Sequence, residues 1–291
     1  MAHSPRPSAA GGRARRESPM YSTHYEVEGP ADGLPMLMLH GFGCELGLMR
    51  GCMEPPIAEA GKADALLRVY VDLPGHGRSN GAPLSLASSD AMLTECLRIL
   101  DDVAPGKKFA VVGQSYGGYL ALGMMASVPE RLAGAALICP LAVDDLAQRR
   151  VEEGRLLSAD EKFLATLTEA ERKSFLQNAV RADGKTWQRF RDEEAPGFAS
   201  ANPEFLDAVD EHFSLTRGAR SLTDGLDFCE PCAIVCGRQD SMVGFRDQAL
   251  LLPKLPRATF AVLDVAGHNL QFEQPALFNA IIVDWLERLE Y

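Results

Sequence analysis

Short, continuous apolar runs recur along the chain and constrain its fold more than any other feature. Most of them show no alternation between apolar and polar positions, and turn-forming residues bound each run. The runs cover residues 34–39, 69–73, 109–112, 135–139, 233–236 and 260–263. This pattern is typical of strands that are covered on both faces, as in a parallel sheet between layers of helices. Residues 24–27, just before Gly29-Pro30, predict an additional antiparallel strand at one edge.

Helical patterns separate the apolar runs. Ser89 is a candidate N-cap, because its hydroxyl can accept a hydrogen bond from a free amide of the first turn. Apolar residues then recur at helical spacing at Met92, Cys96, Leu100 and Val103, and in the last helix at Leu277, Ile281, Trp285 and Leu289. Strands that alternate with helices predict an α/β fold with a doubly wound, mostly parallel sheet.

One long segment lacks strand signals and predicts a helical insertion. Residues 158–161 and 168–171 both match the capping box, and Asn202-Pro203 matches an N-cap followed by proline in the first helical position. We therefore expect a helical cap at residues 141–226, inserted into a core formed by residues 21–140 and 227–291.

The first twenty residues differ from the rest of the chain. Residues 1–20 are rich in Pro, Gly, Ala, Ser and Arg and have no apolar periodicity, which predicts a disordered tail. The tail has no apolar stretch of the kind a secretion signal needs. No later run approaches the roughly 18 apolar residues of a membrane span. We predict a cytoplasmic protein that does not act on or in a membrane.

Charge and cysteine content exclude several classes of function. The net charge of −11 leaves no basic surplus to neutralise phosphates, so nucleic acid is not an expected partner. The odd number of cysteines, seven, favours free thiols. Cys229 and Cys232 have the C-x-x-C spacing but lack a second pair of metal ligands, so no metal site is predicted.

The strongest chemical signal is the pentapeptide Gly113-Gln114-Ser115-Tyr116-Gly117. It follows an apolar run and opens a predicted helix, which is the strand-turn-helix context that a G-x-S-x-G nucleophile requires. Small residues on both sides of Ser115 permit the tight turn. Ser115 is the predicted nucleophile, and the Tyr116 amide at the start of the helix is a predicted oxyanion donor.

A serine nucleophile needs a base, and the base needs an orienting acid. His268 directly follows the last apolar run and Gly267, which allows the chain to turn back over the sheet. Asp240 follows the preceding run. We predict His268 as the general base and Asp240 as the acid that fixes its tautomer.

The second oxyanion donor is expected in the loop after the first long apolar run. His40-Gly41-Phe42-Gly43 lies there, and its glycines let the backbone approach a reacting group closely. The Phe42 amide is the candidate donor, and His40 is expected to hold the loop.

These motifs together resemble the α/β-hydrolase superfamily, in its cap-bearing serine hydrolase branch. The resemblance runs from about residue 21 to the C-terminus and includes residues 40–43, 72–79, 113–117, 237–240 and 267–268, with Ser, Asp and His in the order of that fold. It implies that the helical insertion covers the active site and that no cofactor is needed. Members with an aspartate nucleophile are excluded by Ser115, and the H-G-G-P-G loop of proline iminopeptidases is absent at residues 40–44.

Three functions remain open at this point. The leading one is hydrolysis of an ester, or a related acyl compound, of a small and partly apolar substrate through an acyl-enzyme. Carbon-carbon bond hydrolysis, or a ligand receptor on the same fold, are the alternatives, and cofactor-free haloperoxidase-like members also share the triad. Residues that could line the substrate pocket are Cys44, Trp187, Phe190 and Phe213; packing between cap helices is the alternative role for the aromatic ones.

Overall fold

The computed structural model describes residues 21–216 and 226–289. Its main sheet has seven strands in the order β1-β3-β2-β4-β5-β8-β9, and every neighbouring pair is parallel except β1 with β3. The strands of the main sheet are β1 Tyr25–Glu28, β2 Leu34–Leu39, β3 Leu66–Val71, β4 Phe109–Gln114, β5 Leu132–Ile138, β8 Cys232–Gly237 and β9 Ala258–Leu263. Two short strands, β6 Ser158–Ala159 and β7 Arg181–Ala182, form a separate sheet. The predicted runs and the antiparallel edge strand are confirmed, with starts or ends displaced by a few residues.

The order of the strands creates a crevice beside β2. The chain passes from β2 to β3 on one side, and then returns to β4 on the other side of β2. Because such crossovers are right-handed, the helices after β2 and β4 lie on opposite faces, and the loops at the carboxyl ends of these strands diverge. This topological switch point is where ligands bind in open α/β sheets. The predicted oxyanion loop follows β2, and Ser115 follows β4.

Helices cover the sheet in two packed pairs, α1 with α10 and α2 with α3. The helices are α1 Leu46–Glu59, α2 Ser89–Val103, α3 Tyr116–Ser127, α4 Glu161–Leu164, α5 Glu169–Leu176, α6 Gly184–Arg189, α7 Ala195–Ser200, α8 Pro203–Glu211, α9 Leu270–Glu273 and α10 Pro275–Arg288. Helix α3 contacts β2, β4 and β5 and buries nearly all of its residues, which fixes the turn at its first residue.

The predicted cap of α2 and part of the predicted stripe of α10 are wrong. Ser88, and not Ser89, caps α2 by accepting from the Ala91 amide at 3.2 Å. In α10 the buried face includes Phe278 and Ile282, whereas Leu277 is half exposed. Trp285 and Leu289 of the predicted stripe are buried as expected, whereas Ile281 is only partly buried.

Helices α4 to α8 lie between β5 and β8, where the insertion is predicted. The capping box of Thr168 and Glu171 at α5 is confirmed, as is the Asn202 cap of α8. The capping box predicted at Ser158 is wrong, because Ser158 lies in β6 and Asp160 caps α4 instead. The absence of strands predicted for this segment is also wrong, since β6 pairs with β7 in a short parallel ladder.

A second, smaller apolar cluster joins this inserted segment to the core. Cys44 and Leu48 from the core pack with Phe175 and Phe190 from the insertion, and Phe272 completes the cluster. Glycine permits the closest approach, because a Cβ at Gly197 of α7 would lie 2.5 Å from the Cys44 backbone. Within the described ranges, no helix is long and apolar enough to cross a membrane.

Candidate active site

Ser115 occupies a strained turn between β4 and α3. Its φ is +53° and its ψ is −113°, a conformation that non-glycine residues rarely adopt. The flanking glycines are required by contact: a Cβ at Gly113 would lie 2.3 Å from the Gly117 carbonyl oxygen, and one at Gly117 would lie 2.1 Å from the Leu39 oxygen. The turn therefore holds Ser115 at the carboxyl edge of the sheet.

The predicted oxyanion loop, residues 40–43, lies directly beside Ser115. A Cβ at Gly41 would be 3.3 Å from the Ser115 Cβ, so the loop passes within contact distance of the predicted nucleophile. His40 holds the loop: its Nδ1 donates to the Gly41 oxygen at 2.8 Å, and its Nε2 accepts from the Leu73 amide at 3.0 Å. Burial lowers the pKa of His40 to about 4, so it stays neutral as these bonds require. Tyr116 begins α3, and an amide in the first turn has no acceptor within its own helix.

Asp240 and His268 form a hydrogen-bonded pair after β8 and β9. His268 Nδ1 donates to Asp240 Oδ2 at 2.9 Å, which leaves Nε2 as the basic nitrogen. Asp240 is fully buried, and its Oδ1 accepts from the amides of Met242 and Val243 at 2.8 and 3.0 Å. Burial would raise the pKa of Asp240, but His268 and these amides outweigh it and lower the pKa. Burial would lower the pKa of His268, but Asp240 outweighs it and raises the pKa above 6.5.

Cys139 adjoins this pair, and the sequence gives no indication of that contact. It follows β5 with a φ of +40°, and its Sγ lies 3.6 Å from the Gly267 oxygen. Its Sγ and ligand atoms of Asp240 and His268 all lie within 4.8 Å of one another. Burial raises the pKa of the Cys139 thiol well above its usual value, so it is a neutral neighbour.

A cavity of about 460 Å³ opens at Ser115, and we call it the Ser115 cavity. Phe42 and Tyr116 line it near the nucleophile. Its other walls are mostly apolar and come in part from the inserted segment; they include Leu141, Leu146, Phe213 and Val243, with Arg149, Asp144 and Asp210 as the charged members. The cavity therefore offers an apolar surface and a few charged groups beside Ser115.

The four predicted pocket residues divide between cavity and core. Phe213 lines the Ser115 cavity, and its carbonyl accepts a hydrogen bond from Ser89. Phe190 lines a neighbouring cavity. Trp187 and Cys44 line neither; Trp187 packs on Phe190 at 5.7 Å between ring centroids, and Cys44 lies in the second apolar cluster.

A buried carboxyl group near His268 escaped the sequence reasoning. Glu194 ends a π-helical turn, Phe190–Glu194, and its side chain is 5% exposed. Asn269, next to His268, donates from Nδ2 to Glu194 Oε2 at 2.7 Å. Burial raises the pKa of Glu194 to about 7, against an opposing effect of His268. A usable signal exists: Trp187, Phe190 and Glu194 fall on one helical face, so a carboxylate interrupts an apolar stripe.

The family assignment follows from the model that matches this sequence. The family model described as the alpha/beta hydrolase family matches residues 36–281, which include the Ser115 turn, Asp240 and His268. The chain belongs to the alpha/beta hydrolase family. The seven-stranded, mostly parallel sheet agrees with this membership.

Known proteins similar to this α/β hydrolase include esterases and lipases. A monoacylglycerol lipase from Bos taurus is 25% identical over 278 residues, covering 91% of this chain and 79% of that protein. A solved α/β superfamily hydrolase from Oenococcus oeni PSU-1 has a TM-score of 0.81 at 24% identity, covering 91% of this chain and 95% of its own. An esterase from Rhodococcus sp. ECU1013 has a TM-score of 0.65 at 19% identity, with coverages of 91% and 94%. The two structural likenesses show the fold, and the chain is an α/β hydrolase that is similar in sequence to a lipase.

Proposed function

We propose that the protein hydrolyses carboxylic esters through an acyl-enzyme formed on Ser115. The observation that carries the proposal is the strained Ser115 turn in the wall of a cavity, on the sheet edge that also bears the hydrogen-bonded pair of His268 and Asp240. The strained backbone at Ser115 costs stability and gives no packing benefit, so it favours a catalytic role over a structural one. The similarity to a monoacylglycerol lipase supports an ester as the substrate.

The proposed reaction has two halves. His268 Nε2 removes the proton as Ser115 Oγ attacks the ester carbonyl, and the Phe42 and Tyr116 amides bind the oxyanion. The bond to the alcohol oxygen then breaks, and that oxygen takes the proton from His268. Water, deprotonated by His268, attacks the acyl-enzyme; the bond from Ser115 Oγ to the acyl carbon breaks, Oγ takes the proton back from His268, and the carboxylic acid is released. Asp240 holds the imidazole tautomer and stabilises the imidazolium that forms in each half.

The Ser115 cavity supports a short, apolar acyl group. Leu141, Leu146 and Val243 contribute apolar surface, and a volume of about 460 Å³ is of the size that binds small ligands. Leu146 and Phe213 come from the inserted segment, so we propose that residues 141–226 act as a cap that shapes the acyl site. Cytoplasmic location stays a prediction from the sequence.

Labelling with a fluorophosphonate probe tests the nucleophile. We expect the wild-type protein to be labelled at Ser115, and Ser115→Ala to lose both labelling and ester turnover. Ser85→Ala is the matched control, because Ser85 is an exposed serine far from the turn in sequence. Undiminished labelling of Ser115→Ala would refute the assignment. Turnover of a ring-cleavage dienoate with no turnover of any p-nitrophenyl ester would favour the carbon-carbon hydrolase instead.

A further inference from the structure

A second cavity, of about 300 Å³, lies on the His268 side of the site, and we call it the Glu194 cavity. Met242 lines both this cavity and the Ser115 cavity, so the two adjoin at that side chain. Asn269, which directly follows His268, is also in its wall. In a serine hydrolase the general base protonates the leaving group, so the leaving group must lie on the base's side of the nucleophile. The Glu194 cavity therefore lies where the alcohol part of an ester would extend.

Two buried acceptors lie in the wall of this cavity, the Glu194 carboxylate and the Asn269 amide oxygen, and its other polar side chains are the neutral Ser174, Gln177 and Asn178. Glu194 contributes a carboxylate whose Oε2 already accepts from Asn269. Asn269 is 9% exposed, and its Oδ1 has no hydrogen-bond partner in the part of the chain that the structure describes. Leaving a buried acceptor unpaired costs about 1–3 kcal/mol, so this arrangement is unfavourable for the fold alone. A bound group with a proton to donate would satisfy the free acceptor.

The charges around the cavity favour a cation. Among the described residues that line it, none is Lys or Arg. Burial raises the pKa of Glu194, His268 opposes the rise, and the carboxylates of Glu273 and Glu193 add to it. A buried carboxylate is stabilised by a basic partner or by several hydrogen bonds to its oxygens. Here its hydrogen-bond partner is a neutral amide.

The remaining walls suit an organic cation. Phe175, Phe190 and Phe198 line the cavity, and aromatic faces attract ammonium groups. The π-helical turn places the carboxylate among them. Ala195 donates to the Phe190 oxygen, five residues earlier, and Pro196 follows without an amide hydrogen. The extra residue in this turn adjusts the register so that Glu194 stays on the buried face below Phe190.

We infer that the Glu194 cavity binds an ammonium group carried by the alcohol part of the substrate, with Glu194 as the counter-ion and Asn269 as a hydrogen-bond acceptor. The inference rests on the proposed ester hydrolysis and adds the chemical class of the leaving group. It makes Glu194 a specificity-determining residue for amino-alcohol esters.

A pair of nearly isosteric esters tests the inference. 2-(Dimethylamino)ethyl butyrate carries a tertiary ammonium at pH 7.5, and 3-methylbutyl butyrate has a carbon in its place. We expect the wild-type kcat/KM to favour the ammonium ester by about tenfold or more, the worth of one charge-assisted hydrogen bond. Glu194→Gln should bring the ratio of the two values close to one. Asp192→Asn removes an exposed charge two residues away and should leave the ratio unchanged.

Binding without turnover provides an independent readout. Propylammonium should raise the unfolding temperature of the wild-type protein at pH 7.5 and compete with the ammonium ester, and should do neither with Glu194→Gln. Propanol at the same concentration is the neutral comparison.

Three outcomes would overturn the inference. These are equal kcat/KM for the two esters in the wild-type protein, an ammonium preference that survives in Glu194→Gln, and a preference for 2-hydroxyethyl butyrate with none for the ammonium ester. If Ser115→Ala kept full turnover of all these esters, the proposed hydrolysis itself would fail. Turnover that needs Ser115 but ignores the ammonium would refute only the Glu194 assignment.

Discussion

Replacing Glu194 with glutamine should stabilise the protein at alkaline pH, because the native fold buries this carboxyl group without a basic partner. In the folded protein its pKa is raised from 4.5 to about 7. Below pH 4.5 the group is protonated whether the chain is folded or unfolded, so it costs nothing. Between pH 4.5 and about 7 the unfolded chain ionises the group while the folded chain keeps it protonated, so stability falls over this range; above pH 7 the folded chain holds a buried charge and the penalty levels off.

The size of the effect follows from this difference in pKa. At about 1.4 kcal/mol for each pH unit, the full penalty is on the order of 3 kcal/mol. It should be about 1 kcal/mol at pH 5 and nearly complete at pH 8. Glutamine has the same shape, and its oxygen can still accept from Asn269 Nδ2 as Glu194 does now at 2.7 Å. The substitution should therefore remove the penalty without removing the hydrogen bond.

Urea unfolding at pH 5 and pH 8 measures the difference. We expect Glu194→Gln to exceed the wild-type free energy of unfolding by about 3 kcal/mol at pH 8 and by much less at pH 5; in melting temperature the gain at pH 8 is roughly 5 °C. Asp192→Asn is the control, because Asp192 is exposed and paired with Arg191, which lowers its pKa. An equal rise in the free energy of unfolding at the two pH values, or a fall at pH 8, would show that Glu194 is not a buried carboxyl group that lacks a basic partner.

Three further predictions concern the machinery around Ser115. The acid limb of kcat/KM against pH should have its midpoint above 6.5, because Asp240 outweighs burial and raises the pKa of His268; a midpoint below 6.5 would contradict this. In a steady-state assay, Asp240→Asn should lower kcat on the order of 10⁴-fold. Gly41→Ala should lower kcat by about 10²- to 10³-fold with an unchanged circular dichroism spectrum, because its methyl group would lie 2.2 Å from a neighbouring glutamine oxygen and displace the oxyanion loop. Gly81→Ala places a methyl group in open space and should leave kcat unchanged; equal effects of the two substitutions would refute the steric argument. Glu273→Gln should destabilise the protein by about 2 kcal/mol in urea, because the carboxylate accepts backbone amides of residues 267, 180 and 181 at 2.6, 2.6 and 3.0 Å; an unchanged midpoint would rule this out.

The core of the fold could be predicted from the sequence because each parallel strand carries its own signal. A strand buried on both faces must be apolar throughout, so residues 34–39 are defined by composition alone. The candidate triad follows from the same kind of signal, because Ser115, Asp240 and His268 each lie within a few residues after an apolar strand, although the strand before His268 is only partly buried. Where strands are parallel, residues at their carboxyl ends share one edge of the sheet.

The inserted segment could be predicted only in part. Helix caps such as Thr168 have local signatures and were identified correctly. Ser158 matched the same pattern but lies in a strand, because its amide donates to the Val180 oxygen, 22 positions ahead in the chain. Local sequence cannot contain such a contact. For the same reason Trp187 and Phe190, both apolar and on one helix face, were not separable into core and cavity.

Glu194 shows that the sequence of the inserted segment still contains a usable signal. A charged residue on an apolar stripe contradicts the local pattern, and such conflicts concentrate at functional sites, where stability is given up for activity. The conflict alone identifies the residue, but its chemistry needs the tertiary neighbours: Asn269, whose Oδ1 is unpaired among the described residues, and the aromatic walls of the cavity. The proposed catalytic groups therefore lie just after strands, where the sequence predicts them. In the proposed reaction, the choice of substrate depends on the helix register of the insertion, and Glu194 is the residue there that departs from the apolar pattern.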